Sequence, residues 1–557
     1  MRREASVVNK KVCSFPILFA LLALLIGACA VVFPASAQAA PTSTGSITVS
    51  GTVASSYDAY QIFSANVIDD SGDAKIATDL AWASDAALPV LHSAGMPNSQ
   101  TTAQEAAEWL NTDSHLTSAL SAQLARSLQS SGAKSVALNA GTAAELPCGY
   151  WLIVAKDDAI AQGEVGTAPI MALVGGSAVT VKPKAATPKV SKHVLEDSTA
   201  AWQKAADATV ADDLYWRLSA TVPAGLTAYD TYAVQFVDTM SAGLDPSKVA
   251  ASMRVYVAAG ADGGFGAVSA GKDGRAGTEP AKGWTDITAQ CGVSVDGKTF
   301  TVRTGDLIAA LGGADAFTAG ARVVAVYNAP LTSACNHGIA KGNPNEVYLR
   351  YLRSPFADQS GDAGFTRTPS DDACAYTWDL ALTKRGSDGD KPLAGAVLSI
   401  ADDRGRTLAA DGTWDAEGKA TVTTGEDGRV TVSGVDSGKL EVHELKAPKG
   451  YTAFEGTRSV TVKAEGLDVD QVAAAKPKLT ITAESPLRAD SADGSTGSLE
   501  ASLINTPTGT PPSITTGGFM PSTGDMAMYA AAAAAVAGAA LIVVALLVKR
   551  GGGSHKE

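Results

Sequence analysis

Hydrophobic and polar residues alternate along much of the chain. In Tyr376-Thr377-Trp378-Asp379-Leu380-Ala381-Leu382-Thr383-Lys384 the large apolar side chains occupy every second position. That is the period of a strand with one buried face. Comparable runs include Gly45–Val49, Tyr57–Phe63, Leu146–Ile153 and Leu499–Asn505, separated by clusters of Gly, Asp, Ser, Thr and Pro. The pattern predicts short strands joined by turns, hence an all-β chain. One section departs from it. From Thr101 to Ser130, Ala, Glu and Leu recur at helical spacing, which predicts a helical insertion. The Gly-rich stretch from Ala258 to Gly283 predicts a loop between strands.

Two apolar stretches show neither period. Phe15 to Phe33 follows Arg2, Arg3, Lys10 and Lys11 and precedes the small residues Ala35-Ser36-Ala37-Gln38-Ala39-Ala40. This layout predicts a secretory signal peptide over 1–40. Ile26-Gly27-Ala28-Cys29 loosely suggests a lipoprotein signal, but the small residues after it favour ordinary cleavage. Met526 to Val548 carries no charged residue and is long enough to cross a bilayer as a helix. Lys549 and Arg550 follow, which predicts a cytoplasmic tail over 549–557 and an exported bulk.

The exported part divides by length into about three domains, expected at 41–185, 186–370 and 371–507, with a Pro/Thr/Gly-rich linker over 508–519. The formal net charge is −13, and no basic patch is present, which argues against a nucleic-acid partner. Cys13 and Cys29 would leave with the signal peptide, and Cys148, Cys291, Cys335 and Cys374 would remain. None has CxxC or His-paired spacing, so no metal site is expected. Cys291–Cys335 is the first expectation for a disulfide, because both fall in one domain; unpaired buried thiols are the alternative. Without an HExxH pair or a GxSxG turn, neither an enzyme nor a cofactor is expected.

Strand alternation also places polar groups on apolar faces. Lys384 shares the face of Tyr376, Trp378, Leu380 and Leu382. Glu444 shares that of Leu440 and Val442, and Asn505 that of Leu499 and Leu503. An ammonium and a carboxylate are costly to bury unless they pair or neutralise. One reading is a buried salt bridge, or strand ends that reach water. The other is a spontaneous Lys384–Asn505 isopeptide bond, with burial keeping the amine neutral and Glu444 helping ammonia leave the carboxamide. In the middle domain Lys192 lies with Val190 and Val194, Asp238 with Val234 and Phe236, and Asn345 with Val347, Leu349 and Tyr351. This suggests Lys192–Asn345 with Asp238 as the catalyst, and Asn343 is a further candidate. The opening strand of the first domain contains no Lys, so no such bond is expected there.

Several motifs carry a resemblance to a known family. Met520-Pro521-Ser522-Thr523-Gly524, followed by an apolar span and a basic tail, resembles the LPXTG sorting signal of Gram-positive surface proteins, with Met520 in place of Leu. The resemblance implies cleavage at Thr523–Gly524 by a sortase, whose Cys nucleophile passes the Thr acyl group to an amine. Leu440-Glu441-Val442-His443-Glu444-Leu445 resembles the pilin E-box, although Leu440 and Leu445 stand where Tyr and Thr are common. Asn505-Thr506-Pro507 matches the usual closing Asn. Arg353-Ser354-Pro355 stands where such domains often read Asn-Asn-Pro, which leaves the middle-domain Asn open.

Val181-Lys182-Pro183-Lys184 resembles the pilin motif Val-Tyr-Pro-Lys. It implies Lys184 as the acceptor amine, with Lys182 as the fallback. Taken together, the chain resembles the major shaft pilins of Gram-positive bacteria, built from tandem immunoglobulin-like Cna-type β-sandwich domains. The resemblance implies a structural subunit of a pilus, polymerised head to tail with other copies of itself. Minor pilins, peptidoglycan and a host surface ligand would be its further partners. The alternative is a monomeric wall-anchored adhesin that binds a host ligand.

Overall fold

The structure is a computed structural model and describes residues 43–69, 74–112, 114–183, 187–224, 226–260, 283–359 and 361–509. The expected signal peptide, the sorting pentapeptide with Thr523 and Gly524, the apolar span, and the acceptor Lys184 lie outside the described residues. Among the described residues no helix is long and apolar enough to cross a membrane.

The described chain is all-β with a helical insertion, arranged as successive sandwich units. In the first, the long strand Ser56–Asp69 pairs with Lys75–Trp82, Ser135–Asn139 and Gly149–Ala155. A smaller sheet packs beside it, with Thr44–Val49 antiparallel to Ala143–Pro147 and parallel to Val179–Val181. The expected helical section is not one helix. Ala103–Asn111 and Ser118–Ser130 are separate, and a short helix, Leu88–Ser93, precedes them. Each of the two longer helices starts at a threonine. Thr102 and Glu105 form a reciprocal capping box, and Thr117 accepts from the Leu120 amide. Leu120, Leu124, Ala125 and Leu128 pack inward against Ala103, Ala106 and Leu91.

The middle unit is a sandwich of two sheets. One runs Ala201–Gln203, Val190–Glu196, Tyr215–Thr221, Arg322–Asn328, Arg254–Ala258 and Thr285–Asp286. The other centres on Asn343–Leu352, flanked by Val234–Met240 and Asp371–Tyr376. The Asp371–Tyr376 strand thus completes the middle unit, although the chain from 371 onward was expected to open the third. The chain changes sheets at Thr377, whose buried hydroxyl donates to the Val435 carbonyl at 3.1 Å.

In the third unit Trp378–Gly386 and Ser498–Pro507, its first and last strands, lie side by side and parallel. The facing sheet carries Gly438–Lys446 between Val397–Ala401 and Thr457–Glu465. Trp378, Leu380, Leu382, Val442, Leu499 and Leu503 fill the space between the two sheets. Burial alternates along the first strand, as the period of two requires.

The expected disulfide is not formed: the four cysteines among the described residues are free thiols. Cys291 sits just after a short 3-10 turn and donates its thiol to the Ile287 carbonyl, while Cys335 faces His337. Cys148 and Cys374 are buried, and burial pushes the Cys291, Cys335 and Cys374 thiols up to about 11.

Candidate functional site: two buried lysine–acid–asparagine clusters

Two polar clusters lie inside these sandwiches. In the third unit, register places Lys384 beside Leu503 and Gly386 beside Asn505 on adjacent parallel strands. Glu444 enters from the facing sheet. Lys384 is fully buried, and Glu444 and Asn505 are at most 3% exposed. The Lys384 amine contacts Asn505 Oδ1 and lies 3.1 Å from Glu444 Oε1. The Asn505 amide donates to both Glu444 oxygens, at 2.9 and 3.0 Å. The Phe454 backbone N–H donates to Oε2 at 3.1 Å, which fixes the carboxylate's orientation. Burial lowers the Lys384 amine to about 8, and the nearby Glu444 charge only partly offsets that.

The middle cluster spans the two sheets. Lys192, in Val190–Glu196, pairs with Leu218, and Tyr327, in Arg322–Asn328, pairs with Trp216 on the same central strand. Asp238 and Asn345 come from adjacent strands of the facing sheet, where Asp238 pairs with Val347 and Met240 with Asn345. Lys192, Asp238 and Asn345 are all fully buried. The Lys192 amine bonds Asp238 Oδ2 and donates to the Tyr327 hydroxyl at 2.9 Å. The Trp216 and Tyr327 rings stand 5.5 and 5.4 Å from it. Burial lowers Lys192 to about 8 and raises Asp238, so both shifts favour the neutral pair. The Lys192 backbone N–H donates to Asp371 at 2.7 Å, and buried Lys204 bonds the same carboxylate. These contacts tie the first strand of the unit to its last.

The structure therefore brings together Lys384, Glu444 and Asn505, and separately Lys192, Asp238 and Asn345. Asn343 belongs to neither cluster: its side chain is spent on Asn336 and on the Ala375 carbonyl. Arg353 lies at the border of the first unit, donating to the Asp157 and Phe365 carbonyls. Lys182 is exposed just past Val179–Val181. Tyr327 was not among the expected site residues. An inward tyrosine in a continuously apolar run is a readable signal, because a buried phenol needs a partner. Chemically, each cluster sets an amine, an acid and a carboxamide in one dry space, with a depressed amine pKa leaving a usable neutral fraction. Among the described residues no group of acidic, His or Cys side chains could hold a metal ion.

Comparison with known proteins agrees with this domain type. Residues 379–476, within the third unit, match the SpaA prealbumin-like fold domain. The chain is 30% identical over 129 residues to the trypsin-resistant surface T6 protein of Streptococcus pyogenes serotype M6. That match spans 22% of each chain. Among solved structures, the chain is similar to the T6 backbone pilin of the same organism, with a TM-score of 0.45 and 17% identity over 84% of this chain and 98% of that one. It is also similar to the major pilin SpaD of Corynebacterium diphtheriae, with a TM-score of 0.40 and 15% identity over 84% and 98%.

Proposed function

We propose that this chain is the backbone subunit of a covalent surface pilus, stapled internally by Lys384–Asn505 and Lys192–Asn345 isopeptide bonds. The observation that carries this reading is the buried Lys384–Glu444–Asn505 cluster between the first and last strands of the third unit. In that site the neutral Lys384 amine attacks the Asn505 Cγ. Glu444, in contact with both nitrogens, takes the amine proton and delivers one to Asn505 Nδ2, and ammonia leaves. The bond then ties the first strand to the last, so that tension passes through it and not through the sheet hydrogen bonds. A shaft under load uses such a staple; a wall-anchored adhesin could use one equally, and the Val181-Lys182-Pro183-Lys184 motif is what argues for the shaft over it. The surface T6 relative and the pilin-like neighbours support the same class.

Assembly follows from the chain ends. Sortase joins Thr523 of one copy to Lys184 of the next, giving an open, head-to-tail filament on the cell surface, held briefly in the membrane by 526–548 before cleavage. The test is tandem mass spectrometry of boiled, detergent-washed wall material, searched for a branched peptide carrying Thr523. Its expected partner is Lys184, with Lys182 as the fallback. Thr523 found only on peptidoglycan stem peptide would mean a monomeric anchored adhesin.

A further inference from the structure

The two clusters differ in what their acid can reach. Glu444 touches both ends of its reaction, receiving Lys384 at 3.1 Å and the Asn505 amide at 2.9 Å on one oxygen. Asp238 is one methylene shorter. Its Oδ2 receives the Lys192 amine and the Tyr327 hydroxyl, and its Oδ1 has no hydrogen-bond partner. The Asn345 amide donates instead to the Tyr327 hydroxyl, at 2.8 Å. That hydroxyl also accepts from Lys192 at 2.9 Å and donates to Asp238 at 3.0 Å. A phenol has one proton and two acceptor positions, and here all three are engaged, each by a different member of the site. The ring is held edge-to-face by Phe300 with centroids 4.7 Å apart, and it is fully buried.

We propose that Tyr327 is a catalytic residue of the middle-unit crosslink, relaying the proton between the Lys192–Asp238 pair and the leaving nitrogen of Asn345. The proposal rests on the reading that Lys192 and Asn345 become joined. The neutral Lys192 amine gives its lone pair to Asn345 Cγ, forming the Cγ–Nζ bond. Asp238, protonated in the neutral pair, gives its proton to Tyr327 as Tyr327 gives its own to Nδ2. The Asp238 carboxylate then takes the proton shed by Nζ. The Cγ–Nδ2 bond breaks with its electron pair on nitrogen, and ammonia leaves. Asp238 and Tyr327 end as they began, and no oxidant or reductant is needed.

The test follows both crosslinks in one chain. Full-length protein is made in a cell-free reaction, sampled over time, and digested, and the Lys192–Asn345 and Lys384–Asn505 branched peptides are quantified. Tyr327→Phe keeps the ring and removes the hydroxyl. The expected result is Lys384–Asn505 formed at the wild-type rate, with Lys192–Asn345 slowed about a hundredfold, as loss of an acid–base group typically gives. Equal rates for wild type and variant at Lys192–Asn345 would overturn the relay and leave the ring a packing role. Wild-type protein that forms Lys384–Asn505 but never Lys192–Asn345 would sink the crosslink reading of this unit, and the relay with it. Fluorotyrosine incorporated at position 327 guards against a folding defect, since its shape is nearly that of tyrosine. The Lys192–Asn345 rate is expected to change severalfold with the phenol's acidity. A rate indifferent to that acidity would also overturn the proposal.

Discussion

Lys384 and Lys192 are buried amines whose pKa values fall to about 8 despite an adjacent carboxylate, so desolvation wins over Coulomb attraction at both. At Lys384 the acid can be removed without changing shape. Glu444→Gln cannot take up and return a proton, so the variant is expected to retain the mass of one ammonia that wild type loses, as read by intact-mass spectrometry. The missing bond would have closed a loop of 121 residues. On chain-entropy grounds its absence costs about 5 kcal/mol of stability, measurable by denaturant titration. The uncrosslinked site also has a pH signature. Asn505→Ala leaves the Lys384 amine free to titrate, with a folded pKa near 8 and an ordinary unfolded value near 10.4. Between these values the unfolded chain binds the extra proton, so the variant's stability is expected to rise as pH climbs through that window. Crosslinked wild type has an amide there and no amine to titrate. A variant whose stability is flat across the window would contradict the buried-amine assignment.

At the scale of the element, the parallel pairing of Trp378–Gly386 with Ser498–Pro507 determines what a staple achieves. The chain enters at Trp378 at one end of this pair and leaves at Pro507 at the other, and the bond joins the two strands near the exit, so the residues between Lys384 and Asn505 are shielded from tension. In single-molecule pulling, wild type is expected to show no extension from this segment. Asn505→Ala should release about 400 Å as 121 residues straighten. Equal extension in both proteins would mean that no bond is present.

The same strands explain what could be read in advance. The third unit's strands bury one face only, so Lys384, Glu444 and Asn505 stood out as polar breaks in a period of two. The Arg322–Asn328 strand is buried almost throughout. Its alternation was therefore hidden, and the one readable sign of Tyr327 was a phenol in an otherwise apolar run, which needs a partner when buried. The helical section reads as one because Ala and Leu recur on both sides of the break, although the stretch between Leu110 and Leu116 carries neither. Cys291 and Cys335 shared a domain, but shared membership says nothing about the distance between two thiols. The chain's passage from one sheet to the next at Thr377 carries no Gly or Pro signal. It is set by non-local partners, Asn343–Leu352 before the switch and Ser498–Pro507 after it.

Across the whole molecule, the middle and third units meet closely. The Val210 amide donates to the Gly434 carbonyl at 2.8 Å, and a Cβ at Gly434 would stand only 2.3 Å from the Val210 side chain. Beside this contact Asp207 accepts from the Trp378 indole at 2.7 Å and from the Ser437 amide at 3.0 Å. Glu196, Asp197 and Asp436 crowd around Asp207, while Arg404 and Arg406 reach the outer carboxylates Asp197, Asp212 and Asp402. Burial, followed by the charge of Asp207, raises Glu196 to about 7 and lifts Asp436 well above the usual carboxylate range; burial also raises Asp197. The folded junction therefore holds protons that the unfolded chain releases. The stability linked to those protons is complete below about pH 4 and is lost as pH rises through the folded value near 7. Urea titration is thus expected to find the junction more stable at pH 5 than at pH 8. Asp436→Asn keeps the shape of the side chain and removes its charge, so it should flatten that dependence and raise stability at pH 8. A variant with the same pH slope as wild type would mean that these carboxylates are neutralised by Arg404 and Arg406 and share no protons. The junction would then be held by the Trp378 and Ser437 hydrogen bonds and by the close packing of Val210 on Gly434.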